Sequence, residues 1–277
     1  MVANGPGLYS AFAKKANDLL SRDFLSDQKL SVSSTTKGGL TLTSGLTKKG
    51  EQSSGDITAG YKFNSTLLDV KLDTNSQIST TLTFADIFPS TKTIASFKLT
   101  DNDSRKLEVQ YFHHHAALSS AMLLSQSPAI DVSASVGTPS FSFGVDAGYN
   151  TKSGNLVKYS AGMTLKKPDS CTAVILGDKW DTIKASYVHD LKTGKKSTVV
   201  AEMSRRFSTN ENTVTVGGSY EIDRLTTVKA KMNNNGTVAA VFQHELIPKS
   251  LLTVSCQLDT KALDKAPRIG IALSLKP

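Results

Sequence analysis

Apolar and polar residues alternate with a period of two along nearly the whole chain, from about Lys29 to a closing run in which Ile269, Ile271, Leu273 and Leu275 share one face. Phe141, Phe143, Val145, Ala147 and Tyr149 oppose Ser142, Gly144, Asp146 and Gly148. Val157, Tyr159, Ala161, Met163 and Leu165 oppose Lys158, Ser160, Gly162 and Lys166; Val228, Ala230 and Met232 oppose Lys229, Lys231 and Asn233. Roughly nineteen such runs follow at intervals of about 13 residues. Lys48-Lys49-Gly50, Asp101-Asn102-Asp103, Thr193-Gly194-Lys195 and Asn233-Asn234-Asn235-Gly236 read as turns between them. A tilted strand crossing a band about 25 Å tall takes about ten residues, so one strand and one turn fill each interval. Segments 117–125 and 172–177 alternate poorly, and their facing stays open.

The first segment has a different period. Leu8, Phe12, Ala16, Leu19 and Leu20 recur at spacings of three and four, with Lys14, Lys15, Asn17 and Asp18 mostly on the other side. This predicts one amphipathic helix over 8–20, following Asn4-Gly5-Pro6-Gly7. The expected division is an N-terminal segment, residues 1–26, with its helix in a lumen, and a barrel over 27–277.

Composition sharpens the choice of fold. A soluble chain of 277 residues should bury a deep core with central strands apolar on both faces. Here 39% of residues are hydrophobic, and the strands carry Thr, Ser, Lys and Gly on the second face. That pattern suits one face in lipid and the other in water, and no uncharged run of about 18 apolar residues could cross a bilayer as a helix. The expected fold is an all-β transmembrane barrel. The net charge of +8 favours anionic partners.

Catalytic and metal chemistry find little support. Cys171 and Cys256 fit no disulfide framework and no zinc spacing. His113, His114 and His115 invite a metal site, yet on a strand only His113 and His115 would share a face. No phosphate loop or nucleophile elbow occurs. No enzyme activity, cofactor, metal or nucleic-acid partner is expected. Lys14 and Lys15 interrupt the first apolar stretch, so a secretory signal is not expected either, and the sequons at Asn64, Asn102 and Asn235 read as accidental.

A helix followed by amphipathic strands resembles the mitochondrial porins, the voltage-dependent anion channels. Residues 220–234 look like that family's C-terminal signature, carried by Tyr220, Asp223, Ala230, Lys231, Asn233 and Asn234; Arg224 and Phe242 depart from it. Arg268, Gly270, Leu273 and Leu275 are similar to the sorting signal of mitochondrial outer-membrane barrels. GLYSAFAKKANDLLSRDF and Thr213 to Gly218 resemble plant members, and the likeness covers essentially the whole chain. Animal relatives have a glycine-rich hinge after the helix, whereas residues 23–27 contain no glycine. Of a Gly-Leu-Lys that the family links to nucleotide contact, only Lys92 remains.

The resemblance implies a barrel of about 19 strands with parallel first and last strands, a voltage-gated and weakly anion-selective pore of the mitochondrial outer membrane. Chloride, phosphate and adenine nucleotides would pass. Expected partners are membrane lipids and these solutes in transit, with homo-oligomerisation left open. Nineteen strands give a ring roughly 38 Å across, and a helix on the wall leaves a passage of roughly 15 Å. Candidate pore-lining cations are Lys14, Lys15, Arg22, Lys29, Lys62, Lys98, Lys158, Lys184, Lys229 and Lys231, opposed by Asp69, Asp73, Glu108 and Glu202. Two rival readings are a protein-import pore of the same fold and a soluble, basic β-rich binding module.

Overall fold

The computed structural model describes residues 5–85, 88–99, 101–125, 127–193, 195–262 and 266–276. The strands are β1 (Gln28–Thr35), β2 (Leu40–Lys49), β3 (Gln52–Phe63), β4 (Thr66–Asp73), β5 (Ile78–Ala85), β6 (Thr91–Lys98) and β7 (Asp101–Phe112). Then come β8 (Ala116–Leu124), β9 (Ala129–Gly137), β10 (Phe141–Asn150), β11 (Asn155–Lys166), β12 (Ser170–Gly177) and β13 (Thr182–Thr193). The last are β14 (Lys195–Arg206), β15 (Glu211–Asp223), β16 (Thr226–Asn233), β17 (Thr237–Ile247), β18 (Ser250–Asp259) and β19 (Arg268–Leu275).

They form one 19-stranded sheet in which each strand pairs antiparallel with the next, and β1 closes on β19 in parallel from Gln28↔Ile271 to Val32↔Leu275. An odd number of up-and-down strands forces that single parallel seam. Closure leaves no free sheet edge. Odd-numbered strands run from a first rim, where β1 starts, to a second.

The register assigns every strand a face. Directly paired residues lie on one side of the sheet, so Lys158, Gly148 and Asp131 share a face, and Tyr159, Ala147 and Val132 share the opposite one. The second face is a continuous exposed apolar surface: Leu42, Ile57, Val109, Phe143, Met163, Tyr187, Val216, Phe242 and Ile271 all belong to it. Tyr149, Tyr159, Trp180 and Phe207 gird it near the first rim, and Tyr61, Phe63, Tyr111, Phe141 and Tyr220 near the second. Aromatic girdles around an apolar band are what a bilayer's two interfaces select. Among the described residues no helix is long and apolar enough to cross a membrane.

Three details depart from expectation. The helix is not continuous over 8–20: a 3₁₀ turn at Tyr9–Ala11 is followed by Ala13 in the left-handed region (φ 54°), and the α-helix α1 covers Lys14–Ser21. The break allows Tyr9 and Phe12 to seat on the wall independently of Leu20. Asp101-Asn102-Asp103 is not a turn but the start of β7, where Asp101 pairs with Lys98 across a register shift. His113, His114 and His115 connect β7 to β8, so strand alternation does not govern them. The rings of His114 and His115 both lie against that of His113, and no group of three metal-capable side chains is found among the described residues. Asn4 and Gly194, named in two expected turns, lie outside the described residues.

Candidate functional site: the inner wall and the segment laid on it

The inner face is largely polar, and the N-terminal segment lies along it from β9 to β19. The segment starts beside β8–β10: the Ser142 hydroxyl donates to the Pro6 carbonyl (3.2 Å), and that of Ser135 donates to the Gly7 carbonyl. The Tyr9 hydroxyl donates to Ser160 Oγ on β11 (2.9 Å), and the Tyr9 and Phe12 rings contact each other at 5.3 Å between centroids. Those rings sit over two wall glycines. A Cβ at Gly144 would lie 2.8 Å from Tyr9 and 3.2 Å from Phe12, and one at Gly162 would lie 3.4 Å from Tyr9.

Further along, α1 buries Ala16 and Leu20 against Val188 of β13 and Val200 of β14, with Leu19 and Cys171 at the margin. Here lies the reason the alternation failed at 172–177. β12 turns Cys171, Ala173 and Ile175 inward, opposite Lys166, Thr164 and Gly162. A wall face covered by the segment no longer needs to be polar. Likewise β8 turns Ala117, Ser119, Ala121 and Leu123 inward; Ala117 and Ala121 are buried.

Charged groups then fasten the segment. Lys15 pairs with Asp190 (2.5 Å), Lys184 donates to Asn17 (2.9 Å) and pairs with Glu202 (3.0 Å), and Lys231 donates to the Leu20 carbonyl (2.6 Å) with its ammonium over the Phe24 ring. The chain leaves α1 through Asp23, held at φ 74°, whose carboxylate takes a 2.6 Å bond from Lys229. A non-glycine residue in that region is costly unless its surroundings enforce it, and this ion pair does so. Finally the Ser255 hydroxyl donates to the Leu25 carbonyl, and a Cβ at Gly270 would collide with that same carbonyl. Gly270, singled out from the sequence by likeness to a sorting signal, thus has a packing reason of its own.

The register places each candidate residue. Lys29, Lys62, Lys98, Lys158, Lys184, Lys229 and Lys231 are all on the inner face, as are Lys92, Asp69, Asp73, Glu108 and Glu202. Lys14 and Arg22 are exposed on the segment. They fall into two groups. Lys15, Lys158, Lys184 and Lys229 are ion-paired, Lys158 with Asp146 at 2.5 Å, and Lys231 is spent on the Leu20 carbonyl. The side chains of Lys14, Arg22, Lys29, Lys62 and Lys98 make no hydrogen bond or ion pair among the described residues. Glu108 is held by Lys106 at 3.1 Å and by Gln110. At β19, Arg268 and Gly270 face inward and Leu273 and Leu275 outward. The counter-charges Asp23 and Asp190 escaped sequence reasoning because their partners, Lys229 and Lys15, lie far away in the chain and leave no local signal; Asp146 meets Lys158 across the β10–β11 hairpin, a pairing that only the register reveals. The seat glycines could have been found as inward positions on strands that lack a side chain.

A closed barrel with an apolar outer wall, a polar interior and a segment fixed inside it points to a membrane channel. Comparison with known proteins agrees. A family model described as eukaryotic porin matches residues 5–270. The chain is 53% identical over 276 residues to mitochondrial outer membrane protein porin 2 of Arabidopsis thaliana and 50% identical over 277 residues to mitochondrial outer membrane protein porin 5 of Oryza sativa subsp. japonica. It is 45% identical over 277 residues to mitochondrial outer membrane protein porin 3 of Arabidopsis thaliana, and each match spans 100% of both chains. The chain belongs to the eukaryotic porin family, a pore-forming β-barrel of the mitochondrial outer membrane that contacts lipid outside and passes small solutes inside.

Proposed function

We propose that this pore is weakly anion-selective and that its preference is set by Lys14, Arg22, Lys29, Lys62 and Lys98, the candidate cations that make no ion pair among the described residues. Paired lysines contribute little field at a distance, because each is cancelled by a carboxylate within a few ångströms. The single observation carrying this reading is that Lys29, Lys62 and Lys98 stand on β1, β3 and β6, the part of the wall without the segment, where Asp69 and Asp73 have no cationic partner among the described residues and offset part of their charge. The preference is therefore weak. Chloride, phosphate and nucleotides are the solutes that a wide, mildly positive passage serves, with Lys92 at the start of β6 as the candidate nucleotide contact.

The magnitude follows from Coulomb's law. A unit charge about 10 Å from the axis acts in water with about 0.4 kcal/mol, which a Debye length of about 8 Å cuts to about 0.1 kcal/mol. Anions gain and cations lose that amount, so each charge shifts the permeability ratio about 1.5-fold. Replacing Lys29, Lys62 and Lys98 by Gln together should lower the anion-to-cation ratio roughly threefold, read as reversal potential under a KCl gradient in a planar bilayer. The paired replacement Lys158→Gln with Asp146→Asn should leave it unchanged. An unchanged ratio in the triple variant refutes the assignment.

Voltage closure completes the proposal. The anchors along residues 6–25 favour a gate in which the bare wall deforms while the segment stays docked. Each elementary charge moved through the whole field supplies about 2.3 kcal/mol per 100 mV, so Lys29, Lys62 and Lys98 together supply about 7 kcal/mol for a full crossing and proportionately less for a partial one, enough for a shallow voltage dependence. A chain carrying Ala16→Cys and Val200→Cys, oxidised to tether α1, should still close with voltage. Loss of closure on oxidation, restored by reductant, would assign the gate to the segment instead.

A further inference from the structure

Outside the barrel, the first four strands depart from the smooth apolar surface. At the first rim, Gln28, Lys48 and Ser53 pair directly across β1, β2 and β3, forming a polar row on the lipid-facing side. One step deeper the row is Leu30, Leu46 and Gly55, and the next is Val32, Ser44 and Ile57. Gly55 and Ser44 are small where their neighbours are large, so Leu46 stands as a ridge between two depressions. One is a groove of about 400 Å³ bounded by Gln28, Leu30, Leu46, Lys48, Ser53 and Ile271. The other, about 270 Å³, lies between Leu46, Ile57, Leu72 and Thr74 with Ser44 and Gly55 in its floor. Lys48 makes no hydrogen bond or ion pair among the described residues.

We propose that these twin grooves form a binding site for one anionic glycerophospholipid, its two acyl chains straddling Leu46 and its phosphate held by the polar row. Three features converge on this occupant. Two grooves on either side of one side chain, Leu46, match the two chains of a glycerophospholipid. The rim end of the larger groove carries the Lys48 ammonium, without an ion pair among the described residues, beside the amide of Gln28 and the hydroxyl of Ser53, which together complement a phosphate by charge and by hydrogen bonding. The site also lies at the rim, the depth at which headgroups sit. A sterol has no phosphate for Lys48 to hold, and in a zwitterionic lipid the ammonium beside the phosphate repels the Lys48 ammonium, so an anionic headgroup is preferred.

Native mass spectrometry of the full chain, released from micelles containing equal amounts of phosphatidylglycerol and phosphatidylcholine, tests this. The protein should retain one lipid with an anionic preference of about fivefold, the contribution of one lysine near a membrane surface. Lys48→Gln should bring the preference to parity while leaving total retention largely intact. Gly55→Leu should fill the smaller groove: a Cβ there meets Thr74 at 3.4 Å and Leu46 at 3.7 Å, ordinary contact distances, so the barrel tolerates it. Retention should then fall severalfold with single-channel conductance unchanged. A headgroup ratio that is the same in the protein and in Lys48→Gln, or undiminished retention in Gly55→Leu, would overturn the proposal.

Discussion

Cys171 provides a native probe of whether the N-terminal segment stays docked. It faces inward on β12 and packs at the margin of the Ala16, Leu20, Val188 and Val200 cluster, whereas Cys256, the second free thiol, faces outward on β18. Leu20 is 6% exposed in that cluster. Leu20→Ala removes its contacts without touching the wall and improves intrinsic helix propensity, so the effect falls on docking rather than on α1 itself. Truncating a buried leucine costs about 2–5 kcal/mol; the open setting of α1 on a wall points to the lower end, about 2 kcal/mol. The undocked population should then rise about 30-fold, since every 1.4 kcal/mol is a factor of ten. In a Cys256→Ser background reconstituted in vesicles, a membrane-impermeant thiosulfonate entering through the pore should modify Cys171 at least tenfold faster in Leu20→Ala. Leu30→Ala, on the outer face, should leave the rate unaltered. An unaltered rate in Leu20→Ala would mean that the hydrophobic contact does not hold the segment, and the anchoring account would fall.

Other perturbations separate the remaining claims. Gly270→Val places a side chain against the Leu25 carbonyl and should displace the exit of the segment, raising channel noise and lowering the melting temperature in detergent; a silent substitution would refute the seat. Asp23→Ala keeps the left-handed backbone but frees Lys229, and should weaken docking and add cationic charge to the lumen, seen as a stronger anion preference; Asp23→Gly, which relieves the backbone, should do less to stability. At the first rim, the Ser208 hydroxyl and amide donate to the Asp181 carboxylate at 2.6 and 2.7 Å and hold it below the usual carboxylate range, assisted by Arg206. A depressed folded-state pKa gives stability present above the unfolded value and lost as pH falls. The melting-temperature difference between the protein and Ser208→Ala should therefore shrink on acidification from neutral through pH 4; a difference independent of pH would show that the carboxylate is not the partner that matters.

Almost all of the barrel was legible because its determinant is local. A strand between lipid and water must alternate, and the alternating runs over 141–149, 157–166, 228–233 and 269–275 fall within β10, β11, β16 and β19. Failures occurred where another segment changed what a face meets. β12 and the inner face of β8 lose their polarity under residues 5–25, and the helix predicted over 8–20 breaks at Ala13 because its two halves seat on different strands. The inward placement of the lysines was likewise readable from alternation. Which of them remain free to act on a passing ion was not.

The sequence by itself determined an all-β barrel of roughly nineteen crossings, the outward face of the strands that alternate cleanly and the polar character of the lumen, because these follow from period-two patterning against lipid. Only the tertiary structure decided that Lys15, Lys158, Lys184 and Lys229 are neutralised by carboxylates, while Lys29, Lys62 and Lys98 make no ion pair among the described residues. Ion pairing acts over a few ångströms between residues as distant in the chain as Asp23 and Lys229, and closing the barrel is what sets those distances.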